Sequence, residues 1–340
     1  MNSPRFFTAI KNDSSSQKDG LIQCVLCPRR CMLASGHEGV CKVRRNHGGK
    51  LELPYYGYIT ALAKDPIEKK PLYHFRPGTE ILSAGFTGCN LHCPFCQNWH
   101  ISQNTGVQGR FCTPAELVRA AVQSALAYTY SEPLVHVEFL LDCMKEARKA
   151  GIANVLVSNG CINSEAAGEI LNLTDAANID LKCFSEKTYS KFLGGDLSTV
   201  LSFIKTACEK GVHVELTTLV VPGLNDSEEE LDACVNFIAG LPCAVPWHLS
   251  AYHPDWEWDA PATPSLLLDA AAARARKNLR YVYTGNVAGE KNDTLCLRCG
   301  QTLISRRVYK VDTSGLTIGK ENGKSVCFCA SCGEAAPVQL

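Results

Sequence analysis

"EILSAGFTGCNLHCPFCQNW", residues 80–99, runs from an apolar strand-like segment into a loop that holds Cys89, Cys93 and Cys96. Similar apolar runs recur downstream: "AYTYSE" (127–132), "ANVLVSNG" (153–160), "ANIDLKC" (177–183), "HVELTTLVV" (213–221), "PWHLSAY" (246–252) and "LRYVYTG" (279–285). Helical patterns separate them. "TPAELVRAAVQSALA" (113–127) offers Thr113 as a cap and Pro114 for the first turn. "SEEELDACVNFIAG" (227–240) has a serine cap, early acids and a terminal glycine. Strands alternating with helices predict a parallel sheet with right-handed crossovers, closed fully or partly into a (β/α) barrel. No glycine-rich dinucleotide fingerprint follows the first strand, which argues against an open doubly wound sheet. In a barrel, chemistry gathers at the C-terminal strand ends, where the cysteine loop falls.

The bulk composition narrows the function. Lys+Arg and Asp+Glu both number 34, so net charge is zero and a sequence-independent grip on nucleic acid is not expected. No apolar run reaches the ~18 residues of a membrane span, and the start "MNSPRFFTAIKNDSSSQKDG" is too polar for a signal peptide. The expected location is the cytoplasm, where the 19 cysteines stay reduced. Cys112, Cys143, Cys161, Cys183, Cys208, Cys234 and Cys243 are isolated and read as small hydrophobes. The other twelve fall into three groups.

Cys24, Cys27, Cys31 and Cys41 form the first group, in an N-terminal segment over 1–50. Four soft ligands imply a closed site, either zinc or an accessory iron–sulfur cluster, with zinc slightly preferred. Arg29, Arg30, Arg44 and Arg45 lie nearby and are expected to be solvated. Cys296, Cys299, Cys329 and Cys332 form CxxC…CxxC in a tail over 291–340, as in the two knuckles of a zinc ribbon. Cys327 is a bystander or a substitute ligand. The barrel is assigned to 51–290 between them.

The middle group supplies only three thiols. Structural zinc recruits four protein ligands and cubane clusters normally take four thiolates, so a three-thiolate loop leaves one iron open to a non-protein ligand. The C-x3-C-x2-C spacing resembles the radical S-adenosylmethionine (SAM) superfamily. That resemblance implies a [4Fe–4S] cluster whose open iron chelates the methionine amino and carboxylate groups of SAM. Reductive cleavage of SAM would then give a 5′-deoxyadenosyl radical that abstracts hydrogen from a substrate. Phe95 matches the position that meets adenine. Ser131 and Glu132, in "TYSEP" (129–133), match the motif that accepts from the SAM ammonium. Ser158 and Asn159, in "VSNG", would face the methionine carboxylate and ribose.

"IDLKCF" (179–184), "LVVPGLND" (219–226) and "SAYH" (250–253) look like the activases of glycyl-radical enzymes, such as the pyruvate formate-lyase activator. That likeness implies that Asp180, Lys182 and His253 belong to the SAM site. It departs at Thr217, where those activases carry an arginine. Together with "DPIEKKPLYHFRPG" (65–78), "PWHLSAYHPDWEW" and "VYTGN", the pattern resembles the radical SAM proteins of the AmmeMemoRadiSam system. The family keeps genomic company with Memo-like and AMMECR1-like proteins, which are its implied associates. A reduced flavodoxin or ferredoxin is the implied electron donor. The substrate is a small molecule or a protein backbone glycine. Two alternatives accompany this reading: an activase acting on a protein partner, and a non-catalytic zinc scaffold with three structural metals.

Overall fold

The computed structural model describes residues 3–10, 20–104, 109–121, 125–287, 292–307, 309–321 and 324–340. An eight-stranded sheet organises the chain. Its strands are β1 (Ala61–Pro66), β2 (Glu80–Gly85), β3 (Ala125–Thr129), β4 (Asn154–Ser158), β5 (Ala176–Asp180), β6 (His213–Val220), β7 (Trp247–Ala251) and β8 (Val282–Gly285). They lie in sequence order across the sheet. β1 pairs antiparallel with β2, and every later pairing is parallel. Because successive right-handed crossovers all step the same way, the helices collect on one face and the sheet curls around the other. β1 and β8 remain edges, so the barrel is partial. All seven parallel strands match the expected segments.

The helices are α1 (Pro114–Ala120), α2 (Val137–Lys149), α3 (Ser164–Leu171), α4 (Leu197–Glu209), α5 (Glu228–Ala239) and α6 (Ser265–Ala275). α1 starts with the capping box formed by Thr113 and Glu116, and Ser227 caps α5 by accepting from Glu230 N–H. α1 is shorter than expected: it ends at Ala120, residues 122–124 lie outside the described residues, and Ala125 already belongs to β3. Leu126 and Ala127 are buried on opposite faces of that strand, a period of two that overrides their helix propensity. None of the described helices is long and apolar enough to cross a membrane.

Side chains alternate between the two faces. Leu82, Leu126, Leu156, Ile179 and Leu216 pack outward with Leu140, Ile170, Phe203 and Val235 of the helices. The inner face is lined by Ala125, Ala127, Val155 and Ala176, against which Ile67, Leu72 and Phe75 of the β1–β2 connection are buried. That connection plugs the lower barrel. Further along the inner face the residues turn polar: Asn178, Glu215, Thr217 and His248 are all under a tenth exposed.

Both ends of the chain dock on the barrel. Gly88 precedes the cysteine loop at φ +82°, and a Cβ there would stand 2.4 Å from Cys41 O and from a Val43 methyl. The N-terminal segment therefore rests directly on the loop. Arg44 corrects the expectation of solvation. It is 1% exposed and binds Glu138 of α2 through both terminal nitrogens, at 2.8 and 2.9 Å. The tail is a small β-structure whose core is Leu303, Ile304, Ala336 and Val338 with Cys296, Cys327 and Cys329. It touches the inner face through His74 Nδ1–H, which donates to Pro337 O, and through Arg306.

Candidate SAM and cluster site

The loop after β2 carries Cys89, Cys93 and Cys96 at the C-terminal end of the barrel. Cys89 Sγ accepts from Leu91 N–H at 3.4 Å and from Asn159 Nδ2 at 3.7 Å. Cys96 Sγ lies 3.2 Å from Ser102 Oγ. Burial pushes the Cys93 thiol up to about 12 and the Cys89 thiol well above its usual value. Such thiols become thiolates only when a metal replaces the proton. The nearest cation is Lys182, which favours the Cys93 thiolate. His92, between Cys89 and Cys93, bonds Gln103 Oε1 at 2.8 Å through Nδ1.

Spacing separates the three cysteine groups. In the tail, the sulfurs of Cys296, Cys299, Cys329 and Cys332 all lie within 4.8 Å of one another, with pairs at 3.6 and 3.7 Å. Tetrahedral Zn–S bonds of about 2.3 Å put sulfurs about 3.8 Å apart, so this geometry suits one ion. Cys327 is outside that group. Among the described residues, neither the 89–96 loop nor the Cys24, Cys27, Cys31 and Cys41 group brings three ligand atoms to this spacing.

The predicted SAM-contacting residues surround the loop, in different roles. Ser131 Oγ, just past the end of β3, is buried with no hydrogen-bond partner. Glu132 is already engaged. Its Oε1 accepts from Ser158 Oγ (2.7 Å) and Leu134 N–H (3.0 Å), and its Oε2 from Asn159 N–H (2.8 Å). Burial raises this carboxyl to about 7 despite the three donors. It clamps the end of β4 to that of β3. Ser158 is spent on that clamp and on Gly160 N–H. Asn159 ties β4 to the cysteine loop through Cys89 and Asn90, and its Oδ1 accepts from Cys161 N–H.

Asp180 and Lys182 lie across the site. Their charged groups are 2.8 Å apart, and each side chain is partly exposed. Lys182 is held charged by Asp180 and by the nearby Cys93 and Cys96, against the cost of its burial. The Phe95 ring is buried at 3% exposure. His253 stands at the rim, where its Nε2 accepts from the Gln97 amide at 3.0 Å. The segment after it bends over the loop, with Glu257 N–H donating to Pro94 O at 3.0 Å. Thr217 carries no charge into the site; its hydroxyl donates to Asn178 Oδ1 at 2.9 Å.

Two features escaped the sequence reading. One is the clamp at Glu132, which needs β3 and β4 to be neighbours. The other is a fully buried Glu215 held between His213 (3.0 Å) and His248 (2.7 Å) on the inner face. The period-two spacing of His213 and Glu215 was the available signal.

Residues 85–235 match the Radical SAM superfamily. An uncharacterized protein of Methanocaldococcus jannaschii is 38% identical over 331 residues, which cover 95% of this chain and 97% of that one. Pyruvate formate-lyase 1-activating enzyme of Escherichia coli is 24% identical over 188 residues, covering 52% of this chain and 75% of that one. A radical SAM methyltransferase structure from Sphaerobacter thermophilus aligns at TM-score 0.49 and 13% identity, over 62% of this chain and 67% of that chain. With a family match that begins at the cysteine loop's strand and a relative spanning nearly the whole sequence, the chain belongs to the radical SAM superfamily.

Proposed function

We propose that this protein is a radical SAM enzyme that cleaves SAM reductively and abstracts hydrogen from a substrate. The observation that carries the reading is the loop itself: Cys89, Cys93 and Cys96 follow β2 at the C-terminal end of the barrel, Cys93 buried and the other two half-buried, next to the end of β3 where the Ser131 hydroxyl has no partner. Cys89, Cys93 and Cys96 would hold a [4Fe–4S] cluster, which supplies the electron and the open coordination position for SAM. Ser131 Oγ and Glu132 would accept from the SAM ammonium. Asn159 orients Cys89. Asp180 would accept from polar groups of SAM, with Lys182 steadying its charge and offsetting that of the thiolates. Phe95, Ser158 and His253 complete the cradle. The polypeptide walls exclude water from a reactive radical.

The other cysteine groups support this chemistry. The tail set would hold zinc as a staple for a module too small to build much core. Cys24, Cys27, Cys31 and Cys41 would hold zinc or, as the need for a delivered electron favours, an accessory iron–sulfur cluster. It would stand against the loop, on the route of an electron from reduced flavodoxin or ferredoxin.

Anaerobic reconstitution with iron and sulfide tests the reading. Dithionite-dependent 5′-deoxyadenosine is expected from the wild type. Cys93→Ala should lose the loop's iron and the product while keeping tail zinc. No 5′-deoxyadenosine from cluster-loaded protein would overturn the assignment.

A further inference from the structure

A cavity of about 440 Å³ opens on the inner face, between β7, β8, the β1–β2 connection and the tail. Its walls include Glu68, Lys69, Tyr73, His248 and Arg306. The sheet register links it to the proposed SAM site. Asp180 pairs with Thr217, Thr217 with His248, and His248 with Tyr283, one row across four strands. Asp180 and His248 therefore stand at the same height on the same wall, with Thr217 between them.

The polar groups around this cavity are incompletely satisfied. Arg306 is 3% exposed, and its acceptors are all neutral: Asn292 O and Thr294 Oγ1 at 2.9 Å, and Tyr73 O at 2.5 Å. Its guanidinium lies flat enough on Tyr73 to sit 4.4 Å from the ring centroid. Its Nε has no partner. Glu68 is 7% exposed; Oε1 accepts from Gly78 N–H at 2.7 Å and Oε2 has no partner. Glu215 is committed to the rings of His213 and His248 and to the His74 N–H, which donates at 2.7 Å. A buried donor and a buried acceptor without partners each cost about 1–3 kcal/mol, which a bound ligand recovers. Arg306 donates its side-chain N–H groups only to neutral acceptors, so beside Glu68 it keeps donor capacity for an oxyanion, and Lys69, ion-paired with Asp65 at 3.4 Å, adds positive charge at the cavity.

We infer that this cavity is the substrate pocket of the proposed enzyme, and that it takes a small molecule bearing a carboxylate or phosphate next to a hydroxyl or amine. The oxyanion meets Arg306 and Lys69, and the hydroxyl or amine donates to Glu68 Oε2. The tail then contributes Arg306 to the active site, beyond its role as a stapled appendage. The inference rests on the radical SAM reading for its role, while the binding it requires is measured independently of SAM.

The test is ligand-observed NMR on the full chain with its metal centres reconstituted, using L-malate as the carboxylate probe and glycerol 3-phosphate as the phosphate probe. At least one should bind, and the preference identifies the oxyanion. Arg306→Gln should abolish binding. Lys69→Gln, at a side chain 44% exposed whose partner Asp65 keeps Lys70, should weaken binding severalfold, and Lys69→Glu about tenfold, or about 1.4 kcal/mol. Failure of both probes to bind, or unchanged affinity in Lys69→Glu, overturns the pocket. Loss of SAM binding by the wild type with probe binding intact would instead refute the SAM site and leave the pocket standing.

Discussion

Lys182 Nζ lies 2.8 Å from Asp180 Oδ2, at the end of β5 and beside Cys93 and Cys96. The pair places one negative and one positive group at the same opening. Asp180→Asn leaves the lysine without its counter-charge and removes a strong acceptor. The expected result is SAM binding weakened about tenfold, near 1.4 kcal/mol, with iron content maintained. Equilibrium binding of SAM to the cluster-loaded variant checks it.

Arg44 and Glu138 are each 1% exposed, so either one alone would be an uncompensated buried charge. Arg44→Met is expected to cost about 3–5 kcal/mol. The double change Arg44→Met with Glu138→Leu should recover most of that loss, because it removes both charges together. Denaturant titration of the two variants measures the difference.

His74 and His136 set a pH dependence. Burial lowers both to about 4 from an ordinary 6.5. His136 Nε2 donates to Thr87 O at 2.7 Å, and His74 uses Nδ1 on Pro337 O and Nε2 on the Tyr283 hydroxyl. Below pH 6.5 the unfolded chain takes up protons that the folded chain refuses until about pH 4. Stability is therefore lost as pH falls through that window, by up to about 3 kcal/mol per histidine. Glu132, raised to about 7, acts in the opposite sense. In His136→Gln the loss on acidification should be smaller, as read from thermal midpoints between pH 7 and pH 4.5.

Cys299→Ser should release zinc from the tail and leave the iron of the cysteine loop in place. The tail's apolar core is small, so its strands should open on metal loss. Metal analysis and proteolysis within 292–340 report the two effects. Zinc retained at full stoichiometry would remove these four cysteines from the metal site.

Local pattern made much of this molecule legible. Seven apolar runs, each a few residues long and each followed by a helical pattern, were enough for the parallel sheet, because strand periodicity and crossover handedness leave few topologies. Thr113 and Ser227 announced their helices through capping chemistry that acts within four residues. α1 was overextended because alanine and leucine favour helix locally, whereas burial on both faces of β3 depends on neighbours far away in sequence. Arg44 was misjudged for the same reason, since Glu138 lies 94 positions away.

Cysteine spacing is a property of the chain itself, and it was sufficient to mark three groups and to single out the one with three thiols. Which sulfurs approach to single-ion distance depends on how strands bring loops together, and only the folded chain separates the tail from the other two groups. The same holds for the inner wall. Glu68, His248 and Arg306 are ordinary residues in sequence, spread over more than 230 positions. Sheet register and the docking of the tail bury them around one cavity, where low polarity and missing partners turn them into a candidate pocket.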